Sequence, residues 1–392
     1  MSAYPIPEVS RKIMEIKSKL TSLFVEKDVE INAVLAGLLT REPVILVGAP
    51  GTAKTMLIET LARMINAKSF TYLLTRFTEP DELFGIIDVK SLREGTYRRI
   101  TENTIVDAEI VFLDEIFKAS SAIRNTLLRI LNEKQYVFGS QVIPVNWLGF
   151  YTASNEISTD EEDWAFYDRL VIRVFTKYVS DTSLELLIIK GIELDNGIEI
   201  PTIMTKEEVI KLQQLTKQRF YNIKNSRELV NKYIEAVVEL KSRGIELSDR
   251  RKIKALKVAS AISIIYGNTE VTLDDLADAL RLVAIHSEDD IPKVEEVINK
   301  VGLSQLGKLT QEIEMLIQEL NNITTRISTT ESLQEFKELV KAGKTIIQEL
   351  QGKLEKLAKS SNPRVQQYIP RIKEAIAGFK KEVQKIMENF YE

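Results

Sequence analysis

The segment Gly48-Ala49-Pro50-Gly51-Thr52-Ala53-Lys54-Thr55-Met56 follows a short apolar run, Pro43–Val47, and precedes the helical pattern of Leu57, Ile58 and Leu61. A Gly/Pro turn between a strand and a helix offers successive backbone N–H groups and a helix N-terminus to an anion. Gly48, Pro50, Gly51, Thr52, Ala53 and Met56 would border a phosphate chain. Lys54 would reach its β/γ-phosphates, and the Thr55 hydroxyl would ligate Mg²⁺. The pattern G-x-x-x-x-G-K-[ST] is broken at one place, because Ala53 stands where the second glycine belongs. By itself, the turn could also be a plain strand-to-helix connection with a solvated lysine. Sixty residues past Lys54, however, the apolar run Ile110–Leu113 ends in Asp114-Glu115. An aspartate at the carboxyl end of a buried strand can hold the Mg²⁺ shell, and the adjacent glutamate can deprotonate an attacking water.

Three further positions complete a nucleotide-hydrolysing set. Asn155 follows the run Leu148–Ala153 and would sit beside the γ-phosphate, helping to place the water. Arg169, beside Asp168 and just before Val171–Phe175, could enter the site of a neighbouring subunit, a contact worth about 10³–10⁵ in rate where such fingers act. Ser248 is a natural N-cap for a helix that begins Asp249-Arg250-Arg251. Arg250 could report the γ-phosphate state, with Arg251 as its nearby competitor.

The composition leaves room for this chemistry and little else. The absence of cysteine excludes disulfides, thiolate zinc sites, iron–sulfur ligation and a cysteine nucleophile. A single histidine, His286, leaves one imidazole for any metal or triad chemistry; neither it nor Trp147 or Trp164 is given a role. The 53 basic and 57 acidic residues give a net charge of −4, which is no polybasic surface for nucleic acid. No apolar run approaches the roughly 18–20 residues of a membrane span, and the start, MSAYPIPEVSRKIMEIKSKL, is amphipathic and unlike a signal peptide. A cytoplasmic protein is expected.

The elements that must position these residues are legible as buried runs alternating with helical periodicity. Pro43–Val47, Phe70–Leu74, Ile110–Leu113, Leu148–Ala153 and Val171–Phe175 read as five strands covered on both faces, hence an α/β fold with a parallel five-stranded sheet. Asp88–Thr104 reads as a hairpin insertion turning at Glu94-Gly95, and Glu133–Val145 as a second hairpin turning at Gly139-Ser140. From Leu184 onward the pattern is helical, with Asp195-Asn196-Gly197 leading to Pro201 as a hinge. Leu306–Phe390 steps by three or four, with breaks at Thr329-Thr330 and Ser360–Pro363, as in a helical hairpin or three-helix unit. The expected division is an α/β core over 1–185, an all-helical lid over 186–290 and a helical extension over 291–392.

The ordered set GAPGTAKT, LLTRFTEPDELFG, AEIVFLDEIFKAS, NTLLRILNEKQY, TASNE, YDRLVIRV and LSDRR resembles the MoxR clade of AAA+ ATPases over about residues 8–285, with most likeness to its RavA branch. The resemblance implies a P-loop core with an all-helical lid, ATP/ADP and Mg²⁺ as ligands, and tolerance of alanine before the loop lysine. Lys54 and Thr55 then match Walker A, Asp114 and Glu115 Walker B, Asn155 sensor 1, Arg169 the arginine finger and Arg250 sensor 2. Asp88–Thr104 matches the helix-2 insertion, and Glu133–Val145 the hairpin before sensor 1. It further implies a homo-oligomer, a hexameric ring with sites between subunits, and a protein client such as a von Willebrand factor A domain protein. The RavA extension carries a β-rich module that binds lysine decarboxylase; Leu306–Phe390 reads as helical throughout, so that partnership is not implied. The expected function is therefore an ATP-hydrolysing, chaperone-like remodelling machine that binds nucleotide near Phe24–Ile31 and the Gly48–Thr55 loop. A DNA-acting motor, for which Arg93, Arg98 and Arg99 are the local support, and a non-hydrolysing nucleotide switch are the rivals.

Overall fold

The computed structural model describes residues 8–158, 160–195, 197, 199–304, 307–330, 332–358 and 368–391. The N-terminal Pro5 and Pro7, Asn196 of the expected hinge, Leu306 and the Ser360–Pro363 break lie outside the described residues. The chain forms two compact units, Met1–Val301 and Gly302–Glu392.

The first unit opens with helices α1 (Glu8–Leu23) and α2 (Asp28–Thr40), then β1 (Val44–Val47), α3 (Lys54–Met64) and β2 (Ser69–Leu73). Short helices α4 (Pro80–Phe84) and α5 (Val89–Arg93) lead to β3 (Ile110–Asp114) and α6 (Ser121–Glu133). The hairpin strands β4 (Gln135–Phe138) and β5 (Gln141–Pro144) precede β6 (Gly149–Ser154), α7 (Glu161–Tyr167) and β7 (Ile172–Phe175). Helices α8 (Leu184–Asp195), α9 (Lys206–Asn222), α10 (Arg227–Ser242), α11 (Asp249–Ile265), α12 (Leu273–Val283) and α13 (Asp290–Val301) follow. The five expected strands form one parallel sheet in the order β2-β3-β6-β1-β7. β1 is buried at every position, as a strand covered by helices on both faces must be.

The second expected hairpin is present, with β4 and β5 antiparallel and Phe138 opposite Gln141 across Gly139-Ser140. The first is not a two-stranded ribbon. Asp88 caps a helical turn there, accepting from the Lys90 N–H at 3.0 Å and the Ser91 hydroxyl at 2.6 Å. Glu94-Gly95 therefore ends α5, and one antiparallel bridge, Ile87 with Arg99, is what remains of the pairing. α13 also departs from the expected division. Its buried Val294, Val297 and Ile298 make its packing face, and it packs on α10 and α12, so the first unit runs past Asp290 to Val301.

α2 joins the sheet to the helical bundle. It packs against β6, β7, α9 and α11, and its small residues permit the approach: a Cβ on Gly37 would lie 2.3 Å from Val44 Cγ2. Two fully buried arginines, Arg173 on β7 and Arg251 on α11, tie the α/β layer to the helical region through backbone carbonyls. Arg173 donates to Tyr167 O (2.6 Å), Leu170 O (3.0 Å) and Ile285 O (3.1 Å), and lies 3.6 Å over the Tyr167 ring. Arg251 donates to Leu170 O at 3.3 Å and to Val283 O. Such donors satisfy carbonyls that the bends on either side of the junction leave open.

The second unit is α14 (Gly307–Thr329), α15 (Leu333–Ala358) and α16 (Tyr368–Tyr391) around one apolar core that includes Ile313, Leu320, Ile327, Leu350, Ile372 and Phe379. Gly343 lets the Phe379 ring pack where a Cβ would lie 2.2 Å away.

His286 reports on the junction. Burial, with the charges of Arg173 and Arg251, pushes its imidazole down to about 4 from 6.5. Above pH 6.5 it is neutral folded or unfolded; between 6.5 and 4 only the unfolded chain binds the proton, so its stabilising share is lost as pH falls through that window. We expect the lone imidazole to titrate near pH 4 by NMR. The native chain should also lose more stability between pH 6.5 and 4 than His286→Asn does. A midpoint near 6.5 would contradict this packing.

Candidate nucleotide site

The strand order fixes the site. β6 lies between β1 and β3, with Val47 opposite Ser154 and Leu113 opposite Thr152. The residues that follow these strands therefore emerge side by side at the carboxyl edge of the sheet, where open α/β sheets hold ligands. The Gly48 N–H donates to Ser154 O at 3.0 Å, and the Thr176 N–H to Val47 O at 2.7 Å. Gly48 has φ 149°, and a Cβ there would lie 2.2 Å from Thr176 O, so only glycine fits.

Ala53 is left-handed, with φ 64° and ψ 21°. That explains why a glycine is the commoner residue before the loop lysine: an L-residue in this region costs about 1–2 kcal/mol. Glu115 is left-handed too, at φ 56° and ψ 46°. Two non-glycine residues with such strain, both at one edge of the sheet, are the pattern expected of a working site.

Lys54 is buried and donates to Gly48 O at 2.7 Å, Ala49 O at 2.9 Å and Thr52 Oγ1 at 3.4 Å. Burial holds its ammonium below the usual lysine range, against the opposing charges of Asp114 and Glu115. Asn155 Nδ2 donates to Glu115 Oε1 at 2.5 Å, and the Lys118 ammonium lies 3.4 Å from the same oxygen. The Glu115 N–H donates to Asp114 Oδ1 at 2.8 Å. Thr55, in the first turn of α3, and Asp114, at the end of β3, carry oxygens of the hard kind that a divalent cation takes.

Gly51, Thr52, Ala53 and Met56 open onto a cleft of about 170 Å³ whose other walls include Phe24, Val25, Lys27, Tyr178, Leu187 and Leu194. Of the Phe24–Ile31 stretch, Phe24, Val25 and Lys27 border this cleft. Lys27 is anchored by Lys177 O at 2.5 Å and Thr176 Oγ1 at 3.2 Å. Tyr178, whose hydroxyl donates to Pro50 O at 3.1 Å, and the α8 residues were not legible as site residues.

Arg169 and Arg250 are brought together elsewhere. They line a second cleft of about 270 Å³ with Arg41, Lys134, Lys254 and Lys257. Arg169 donates to Ala165 O at 2.6 Å, and Arg250 lies 3.7 Å from Asp168, which also accepts from Ser248 Oγ at 3.0 Å. Glu42, buried beneath, accepts from Lys254 at 2.5 Å and Lys257 at 2.6 Å. Burial pushes the Lys134 ammonium down to about 8. Arg250, Lys254 and Lys257 form one helical face, a spacing visible in the sequence but not singled out there. Of the competing arginines, Arg250 is the one presented to the cleft, since Arg251 is sealed in the junction. Arg99 pairs with Asp81 at 2.6 Å and lies 4.2 Å over the Phe138 ring, which removes it from the arginines offered to DNA.

Residues 11–216 match the family model described as the MoxR domain of MoxR–vWA–β-propeller ternary systems. The chain belongs to the MoxR family of AAA+ ATPases. This MoxR-family protein is 36% identical to an uncharacterised protein of Methanocaldococcus jannaschii over 79% of its own length and 81% of the relative's. It is 23% identical to the chaperone MoxR1 of Mycobacterium tuberculosis over 79% and 86% of the two chains. A solved ATPase candidate from Cytophaga hutchinsonii shares its fold, with TM-score 0.60, 19% identity, and coverage of 74% of this chain and 94% of that one.

If Asn155 positions Glu115, Asn155→Ala should leave nucleotide affinity nearly unchanged and lower turnover by about a hundredfold, the scale set by losing one preorganised donor. Equal losses in binding and turnover would show that it only supports the fold.

Proposed function

We propose that this MoxR-family chain hydrolyses ATP, with Mg²⁺, at sites shared between neighbouring copies in a ring, taken as a hexamer. The cycle would remodel or activate a protein client, a von Willebrand factor A domain protein by analogy with the systems its family model describes. The observation that carries the reading is the Asn155–Glu115 pair beside Lys54 and Asp114 at one sheet edge. A cytoplasmic location is part of the same proposal.

The residues fit the substrate. The backbone N–H groups of the loop and the N-terminus of α3 receive the phosphates, and the cleft walled by Phe24, Met56 and Leu194 suits the base. Mg²⁺, when bound, supplies charge neutralisation at the phosphates, with Thr55 and Asp114 as its protein ligands. Lys54 stabilises charge on the terminal phosphates. Glu115, oriented by Asn155, takes the proton of the attacking water. Arg169 and Arg250 act from the adjacent copy, consistent with their cleft lying apart from the loop. The core (1–185), a lid that continues past residue 290 to Val301 because α13 packs on α10 and α12, and the extension after it are the proposed working parts, nucleotide state passing to the lid through Arg250 on α11. The near-balanced charge favours a protein client over nucleic acid.

Glu115→Gln tests the assignment. It should bind ATP as the native chain does and lose turnover by about 10²–10⁴-fold, the usual share of a general base. Retained hydrolysis would remove Glu115 from that role.

A further inference from the structure

Helix α8 carries Leu184, Leu186, Leu187, Ile188, Ile189 and Ile192, each 39–60% exposed, and none of its residues is buried. Aliphatic side chains this dense and this exposed mark a surface that a partner covers. α8 is also a wall of the nucleotide cleft, through Leu187, Gly191 and Leu194, whereas Arg169 and Arg250 line a cleft that shares no residue with it among the described residues. On the shared-site reading above, on which this step rests, the copy that completes the site comes up to a cleft of which α8 is one wall.

We propose that α8 is the docking helix for a second copy of this chain, packing head-to-tail against the surface around that copy's Arg250. Two complementarities select that surface. Ile253, one turn beyond Arg250 on α11, is 58% exposed, and Trp164, on the helix that leads into Arg169, is 50% exposed. α8 bears Glu185, Glu193 and Asp195 against one cation, Lys190, which pairs with Glu193 at 2.7 Å. The opposite rim stays cationic overall: Arg41, Lys134, Arg169 and Arg250 line its cleft, its buried acid Glu42 is held by Lys254 and Lys257, Asp168 lies against Arg250, and the exposed Asp249 is paired with Lys252. Two α8 helices set face to face would place acid against acid and leave both arginine clefts away from the phosphates.

The cysteine-free sequence makes the test direct, because Ile188→Cys and Ile253→Cys each introduce a sole thiol at an exposed position. Full-length protomers of the two variants, mixed with ATP and mildly oxidised, should form a disulfide-linked pair at about ten times the yield of either variant alone, as a head-to-tail contact requires. Ile210→Cys, exposed on α9, should not pair with Ile188→Cys. Ile188→Asp with Ile192→Asp should disperse the oligomer and lower turnover by about tenfold or more, with binding of a fluorescent ATP analogue retained. Dominant Ile188–Ile188 cross-linking, or pairing with Ile210→Cys as strong as with Ile253→Cys, overturns the proposal. Turnover per chain that rises with protein concentration, without the Ile188–Ile253 cross-link, overturns the role of α8 and leaves the shared site standing. A monomer with concentration-independent turnover per chain overturns both.

Discussion

The hydrogen bond from Asn155 to Glu115 depends on the position of one strand. β6 runs between the strand that ends in the phosphate loop and the strand that ends in Asp114-Glu115. Only in that order does a residue leaving β6 reach both. The cost is local strain. Glu115 turns left-handed so that its carboxylate faces Asn155, and Ala53 turns left-handed so that α3 starts with its N–H groups facing outward. The buried strands and the bond from Gly48 to Ser154 hold these turns in place.

The same rigidity extends to the arginines. Among the described residues Arg173 and Arg251 form no ion pair with a carboxylate; most of their donors go to carbonyls at the junction of sheet and helices, Arg173 also reaching His286 Nδ1 and Arg251 Nε going without a partner. A shift of α11 relative to β7 would leave those donors unpaired in the interior, which is costly. The junction is therefore suited to moving as one block, carrying Arg169 and Arg250 together. The Glu42 link to Lys254 and Lys257 adds a second tie on the same helix.

Much of this was legible in the sequence because it is written in short-range patterns. Five buried strands, the loop and Asp114-Glu115 follow from local runs and turn chemistry, and Asn155 follows from its place after β6. Asp88–Thr104 was misread as a hairpin because Asp88 and Ser91 supply a helix cap that competes with strand pairing. That Arg169 would act away from its own loop was anticipated, but its sharing a cleft with Arg250 was not legible, since that depends on how the helical region folds back on the sheet. The exposed face of α8 was equally hidden, because its composition alone suggests a core helix.

The central claim is that one copy supplies Lys54 and Glu115 while its neighbour supplies Arg169. Mixing Lys54→Ala protomers with Arg169→Ala protomers, each inactive alone, tests it most directly. The account predicts recovered ATP turnover in the mixture, because some interfaces then pair an intact loop with an intact arginine. Mixed assemblies, verified by differential tagging, that stay as inactive as their parents would contradict it.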